Sequence, residues 1–367
     1  MKKVIIYYGS SEAFEKVIPS NFHNLSDVAM QLDDEGKVMR VIHDIPGQDK
    51  LEAPKTKKTR INNFVISADE YSSVQEHVII NFADFLGKLS ITNMYIQNPP
   101  DNIYQQIQRI YGRSNIIDIR YQQYKKVDAG IIRRIYKEYG TRIIGQDKAK
   151  NELLKALYPL VDDKQEKPVV ILLYGGSGLG KTETAQYIAE LLEGNLFRKQ
   201  FSMYQNGEFA NYLFGGKYNE KSFAKDLLGR DSNVILLDEF DKANSVFHSA
   251  FYQLFDEGIY EDQNYKVNVK YGIIICTSNY LSKEEVKDKL GAPIYNRFDA
   301  VIKFTDLSDE AKIKIADAYL QSFKEIPREL NLDRLYKAVI KLNNAREIQH
   351  LIKDSISLIN IRKICEG

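Results

Sequence analysis

Val169-Val170-Ile171-Leu172-Leu173-Tyr174-Gly175-Gly176-Ser177-Gly178-Leu179-Gly180-Lys181-Thr182 decides how this chain is read. Its first half is apolar without alternation, the pattern of a strand buried on both faces of a parallel sheet. Its second half matches G-x-x-x-x-G-K-[ST] in full. Glycines let such a turn curl until backbone N–H groups point inward at phosphate oxygens. A helix expected over residues 182–193 adds the positive end of its dipole. In that setting Lys181 reaches the β- and γ-phosphates and the Thr182 hydroxyl ligates Mg²⁺. Gly175, Gly176, Ser177, Gly178, Leu179, Gly180 and Glu183 complete the expected phosphate-side set.

Further along, Val234-Ile235-Leu236-Leu237 is a second buried strand, and it ends in Asp238-Glu239. Ligands of parallel sheets collect at the carboxyl ends of the strands. Asp238 is therefore expected to orient Mg²⁺, and Glu239 to polarise the water that attacks the γ-phosphate. ATP is favoured over GTP because no [NT]-K-x-D guanine-reading motif follows. A third strand of this kind is expected over residues 272–276. Strands alternating with helices imply a doubly wound parallel sheet, an α/β P-loop NTPase fold.

Working outward, 367 residues suggest two or three compact units. The expected division is a small α/β domain over residues 1–125, a large ATPase subdomain over 126–305 and a helical lid over 306–367. In the first, strands are expected at 4–8, 64–66 and 94–96, and helices at 74–89 and 103–111. A helix at 127–139 and another from 148 towards 158 precede the first buried strand, after a charged, loop-like 162–167. Three amphipathic helices, 308–323, 332–341 and 345–361, form the lid.

Composition narrows the classes. Apolar residues make up 44% and charged residues 28%, enough for real cores. A net charge of +1 gives no bulk reason to expect nucleic acid or a membrane surface as partner. The densest basic cluster, Lys55, Lys57, Lys58 and Arg60, reads as a solvated loop. Cys276 and Cys365 alone exclude a disulfide framework or a cysteine-based zinc site as an organising device. No apolar run reaches the roughly 20 residues that span a bilayer. Met1-Lys2-Lys3 before Val4-Ile5-Ile6-Tyr7-Tyr8 is too short and too soon polar for a secretory leader, so a cytoplasmic location is expected.

From about residue 127 to the C-terminus the chain resembles AAA+ ATPases, and more narrowly the second ATPase ring of the Clp unfoldases and disaggregases. Ile143-Ile144-Gly145-Gln146-Asp147 resembles the adenine-side element, which implies that Ile143 and Ile144 line the base. Leu237-Asp238-Glu239-Phe240-Asp241-Lys242-Ala243 resembles the extended second Walker motif, and Phe255-Asp256-Glu257-Gly258 the turn that follows. Cys276-Thr277-Ser278-Asn279 is similar to the strand end that carries the first sensor, implying that role for Asn279. Tyr295-Asn296-Arg297-Phe298-Asp299 is similar to the arginine-finger element, so Arg297 would reach a neighbouring subunit. Asn344-Ala345-Arg346-Glu347 resembles the second-sensor element with Asn in place of Gly, which implies that Arg346 touches nucleotide. Two features depart from the family. Tyr212-Leu213-Phe214-Gly215-Gly216-Lys217-Tyr218-Asn219 lacks the aromatic pore-loop element of threading members, leaving Phe214 or Tyr218 as substitutes. No tripeptide of the kind that docks Clp ATPases onto their peptidase is present, so direct docking to that peptidase is not expected. Torsins resemble the same ring and also lack the aromatic loop.

Three functions stay open on this reading. The first is an ATP-hydrolysing ring or stacked oligomer, a hexamer by resemblance, that remodels a protein partner. The second is a nucleotide-controlled scaffold or switch with the N-terminal domain as binding or effector module. The third, a DNA-directed motor, is disfavoured by the neutral charge.

Overall fold

In the computed structural model, residues 1–43, 58–161, 165–203, 208–243 and 245–366 are described. Lys55 and Lys57 of the basic cluster and part of the charged 162–167 stretch lie outside them. In chain order the first strands are β1 (Lys3–Tyr8), β2 (His23–Asn24), β3 (Thr59–Ile66), β4 (Leu89–Gln97), β5 (Ile117–Tyr121) and β6 (Val169–Tyr174). They are followed by β7 (Phe197–Gln200), β8 (Val234–Asp238), β9 (Ile259–Glu261), β10 (Lys266–Asn268), β11 (Ile273–Ser278) and β12 (Ala300–Lys303). The chain separates into two compact units: residues 1–123 with 206–231 and 259–268, and residues 124–205 with 232–258 and 269–367. Two segments from within the expected 126–305 interval therefore cluster with the first unit.

The first unit is built on a parallel five-stranded sheet ordered β2-β3-β4-β1-β5. Val4 and Ile6 of β1 lie opposite Met94 and Ile96 of β4. With Phe64, Ile66, Ile103 and Ile107 they form a core from which water is excluded. The single helix expected over 74–89 is two short ones, Glu76–Ile80 and Phe82–Gly87, broken at Asn81, and Leu89 already belongs to β4. Buried Gln106 explains why the break is tolerated. Its Nε2 donates to the carbonyls of Ile79 and Ile80, and its Oε1 accepts from the Ala83 amide, so the freed backbone groups stay paired. The helix Leu25–His43 and strands β2 and β5 had no apolar run to announce them.

The two inserted segments pack closely into this unit. The 206–231 segment carries the helices Glu208–Phe214 and Phe223–Leu228. Strands β9 and β10 form an antiparallel hairpin in 259–268. The hairpin carbonyl of Asn264 accepts the Asp101 amide at the start of the helix Asp101–Tyr111. Asn264 Nδ2 in turn donates to the Gly216 carbonyl at 2.8 Å. Lys225 Nζ donates to Ser72 Oγ at 3.0 Å.

The second unit holds a parallel sheet ordered β12-β6-β11-β8-β7. Every residue of β6, β8 and β11 is buried, and an apolar run opens each of the three. Strands β7 and β12 are the two edges. They are half-exposed and mixed in sequence, which is why no apolar run marked them. Asp128 caps the helix Ala129–Arg142 by accepting from the Ile131 amide at 2.8 Å. Beyond Phe304 only helices follow: Asp309–Leu320, Leu332–Val339 and Ala345–Glu366. They share a small core of Ala316, Leu320, Leu335, Val339, Ile348 and Ile352. Among the described residues no helix is long and apolar enough to cross a membrane.

Candidate functional site

The turn after β6 is shaped by its glycines. Gly175 has φ +138°, and a Cβ there would lie 2.3 Å from the Phe304 carbonyl oxygen. Gly180 has φ +103° and faces Ile143. Any side chain at Gly175 would push the turn off β12, so the curl demanded by the sequence pattern is locked by packing. The helix Lys181–Leu191 starts directly after the turn and points its amino end into a cleft of about 760 Å³.

That cleft gathers most of the expected site. Its walls include Ile143, Ile144, Ser177, Gly178, Leu179 and Gly180, followed by Lys181, Thr182, Glu183, Asp238 and Glu239, and then Asn279 and Arg346. Lys181 is 7% exposed. Its Nζ donates to the Gly175 and Gly176 carbonyls, each at 2.7 Å, and to Asn279 Oδ1 at 3.2 Å. Burial pulls its pKa down to about 8, against the opposing pull of Asp238 and Asp241. The Ala345 amide donates to the Gly178 carbonyl at 3.2 Å, so the last lid helix begins on the phosphate turn and sets Arg346 in the cleft wall.

Asp238 and Glu239 sit at the carboxyl end of β8. Asp238 Oδ1 accepts from Thr277 Oγ1 at 2.5 Å and lies 3.5 Å from Thr182 Oγ1. A hydroxyl beside a carboxylate is the hard-oxygen donor set that suits Mg²⁺, so Thr182 and Asp238 fit the ion they were expected to hold. Glu239 adopts φ 54°, ψ 44°, a left-handed conformation that costs a non-glycine residue about 1 kcal/mol. The kink turns its side chain off the strand line. Its Oε2 accepts from Gln200 Nε2 at 3.1 Å, and its amide donates to Thr277 Oγ1 at 2.9 Å. Hydrogen bonds from Ser202 and Gln200 hold its carboxyl below the usual range, keeping it ionised.

Some residues stand elsewhere or were missed. Arg297 is not among the lining residues of its own chain's cleft. Its Nε donates to Asp256 Oδ2 at 2.9 Å, and its guanidinium lies 4.0 Å over the Tyr252 ring. Glu183 lines the cleft but accepts from Arg142 Nε at 2.6 Å. Of the candidate gripping residues, Tyr218 packs on the first unit's core and its hydroxyl accepts from Asn102 Nδ2 at 3.3 Å. Phe214 is 48% exposed. Arg198 and Gln200 on β7 were not foreseen, because their strand is too polar to read as one. Thr277 lay inside the quoted strand-end motif but was given no role.

A family model described as AAA domain (Cdc48 subfamily) matches residues 166–326. The chaperone protein ClpB of Clostridium perfringens is 31% identical over 234 residues, 54% of this chain and 27% of that protein. Residues 166–326 thus resemble an AAA ATPase domain, and the chain is similar to the ClpB chaperones. ClpB of Clostridium tetani is 30% identical over 250 residues, covering 59% of this chain and 28% of its own length. The chain thus spans little more than a quarter of the length of these curated relatives. A closed-state reconstruction of Hsp104 with ATPγS and FITC casein superposes with TM-score 0.54 and 16% identity, covering 99% of this chain and 88% of that one. The Saccharomyces cerevisiae Hsp104–ADP complex gives TM-score 0.52 and 19% identity, covering 72% and 53%. At those identities the likeness speaks for the fold.

Proposed function

We propose that the chain hydrolyses ATP in an oligomer and uses the cycle to remodel a protein partner. One observation carries the proposal: Lys181, the Asp238-Glu239 pair, Asn279 and Arg346 come from four separate stretches of sequence and line one cleft. Thr182 and Asp238 would hold Mg²⁺, which supplies charge neutralisation for the triphosphate. Lys181 and Arg346 bring positive charge to the phosphate side, and Asn279 holds the Lys181 ammonium in line. Glu239, ionised and restrained by Gln200, accepts a proton from the attacking water. Arg297, which does not line its own chain's cleft, acts on that of a neighbouring subunit, so turnover requires assembly, a hexamer by likeness to the Clp family. Remodelling is supported by the matched relatives, which are named as chaperones.

A second reading, a nucleotide-controlled switch whose N-terminal domain is the effector, is favoured by one feature. Residues 212–218 are anchored within the first unit: Tyr212 OH donates to Asp226, the Leu213 carbonyl accepts from Tyr260 OH, and Tyr218 packs on the core. A segment held in this way is poorly suited to gripping polypeptide.

The deciding experiment is binding of adenine nucleotide with and without Mg²⁺ to the full chain and to Lys181→Ala. Tight, metal-dependent binding that Lys181→Ala abolishes is expected. Unchanged affinity in that variant removes the nucleotide reading.

A further inference from the structure

Arg198 does something the phosphate turn and the paired acids do not account for. It lies on edge strand β7, opposite Leu236 and two residues before Gln200, which faces Asp238. Its side chain is 45% exposed, yet its guanidinium reaches the buried Asp238 carboxylate. Nε at 3.0 Å and Nη2 at 2.5 Å both donate to Oδ2, while Oδ1 serves the Thr277 hydroxyl. Both oxygens of the carboxylate expected to serve a divalent ion are therefore engaged, one of them by a permanent positive charge. Arginine stays protonated at any pH the protein experiences and hydrogen-bonds carboxylates with fixed geometry.

We propose that Arg198 is a positioning residue that sets the metal dependence of nucleotide binding by competing with the divalent ion for Asp238. The inference rests on reading the cleft as a nucleotide site. A free ion approaching Asp238 meets a guanidinium at a few ångströms, and like charges at that separation repel. An ion that arrives on a triphosphate brings its own negative charge, so the repulsion is offset and Arg198 is free to turn towards the phosphates. Arg198 thereby favours loading of the metal–nucleotide complex over capture of a bare ion. Its charge also lets nucleotide approach Asp238 and Glu239 when no ion is present.

The test measures Mn²⁺ alone, by its paramagnetic resonance signal, on the nucleotide-free full chain. Arg198→Gln, which keeps length and polarity but no charge, is expected to bind Mn²⁺ at least about tenfold more tightly than the parent, and Arg198→Lys to fall between them. In EDTA, Arg198→Gln is expected to bind ADP at least about tenfold more weakly, with Mg²⁺–ADP affinity much less affected. Equal Mn²⁺ affinity in parent and Arg198→Gln, at matched melting temperatures, overturns the proposal. If Arg198→Gln does not fold, Arg198→Lys carries the decision, and a parental Mn²⁺ affinity there counts against it. The two readings fail separately: a parent chain without affinity for Mg²⁺–ADP removes the nucleotide site, whereas the Mn²⁺ comparison reports on Asp238 and Arg198 directly.

Discussion

The side-chain amide of Gln146 and the backbone amide of Thr305 clasp one another in both directions. Gln146 Nε2 donates to the Thr305 carbonyl at 2.8 Å, and Gln146 Oε1 accepts the Thr305 amide at 3.1 Å. Gln146 is 2% exposed, so water does not replace either bond. The clasp fixes the Ile143–Ile144 wall of the cleft to the strand end that packs on Gly175. Gln146→Ala leaves two backbone groups without partners, at roughly 1–3 kcal/mol each. Chemical denaturation should show a loss of that order, with nucleotide affinity weakened as well. Stability within about 0.5 kcal/mol of the parent would show the clasp to be incidental.

Glu239→Gln keeps the shape of the side chain and removes the proton acceptor. Bound ATP should persist while turnover falls by about 10²–10⁴. Single-turnover hydrolysis measures this, and a parental rate excludes Glu239 as the group that activates water.

Arg297→Ala should bind ATP like the parent yet hydrolyse it slowly. Because the residue faces Asp256 and Tyr252 and does not line its own cleft, mixing this variant with Lys181→Ala subunits should restore part of the turnover. An absence of rescue in mixed assemblies that demonstrably form would place Arg297 outside the trans role.

Phe214 is the exposed aromatic of the 212–218 segment, and Tyr212 is its buried anchor. Phe214→Ala should abolish action on a protein partner in a remodeller but leave nucleotide-driven assembly intact in a switch. Tyr212→Phe, which loses only the bond to Asp226, should cost about 1 kcal/mol whichever function is correct. Partner release assayed beside light scattering separates the two.

His248 is 3% exposed and stacks on Phe240 at 4.8 Å, with neither ring nitrogen hydrogen-bonded. Burial lowers its pKa, since the nearby backbone of Phe240 and Leu290 favours the charged ring too weakly to compensate. The unfolded chain therefore takes up a proton at higher pH than the folded one. The stability of neutral His248 is complete above the unfolded pKa near 6.5 and is lost as pH falls from there towards the folded value. Melting temperatures of His248→Phe and parent should diverge between pH 7 and pH 5, with the variant less acid-sensitive. Parallel curves would mean that His248 does not titrate in this window.

The sequence by itself determined the second unit's centre. Apolar runs at β6, β8 and β11, alternating with helical segments, point to the inside of a parallel sheet, and the glycine turn and Asp238-Glu239 follow such strands by covalent connection. Their place at the sheet's carboxyl edge was therefore legible before any coordinates. Tertiary structure alone decided the rest. Edge strands β7 and β12 are half-exposed, so their composition carried no signal, and Arg198 and Gln200 were hidden with them. The break at Asn81 depends on Gln106, a residue distant in sequence whose side chain repairs the lost backbone bonds. Likewise, residues 206–231 and 259–268 join the first unit through partners such as Asn102, Asp101 and Ser72. No local pattern encodes such pairings, because hydrogen bonds between segments remote in sequence exist only once the chain has brought them together.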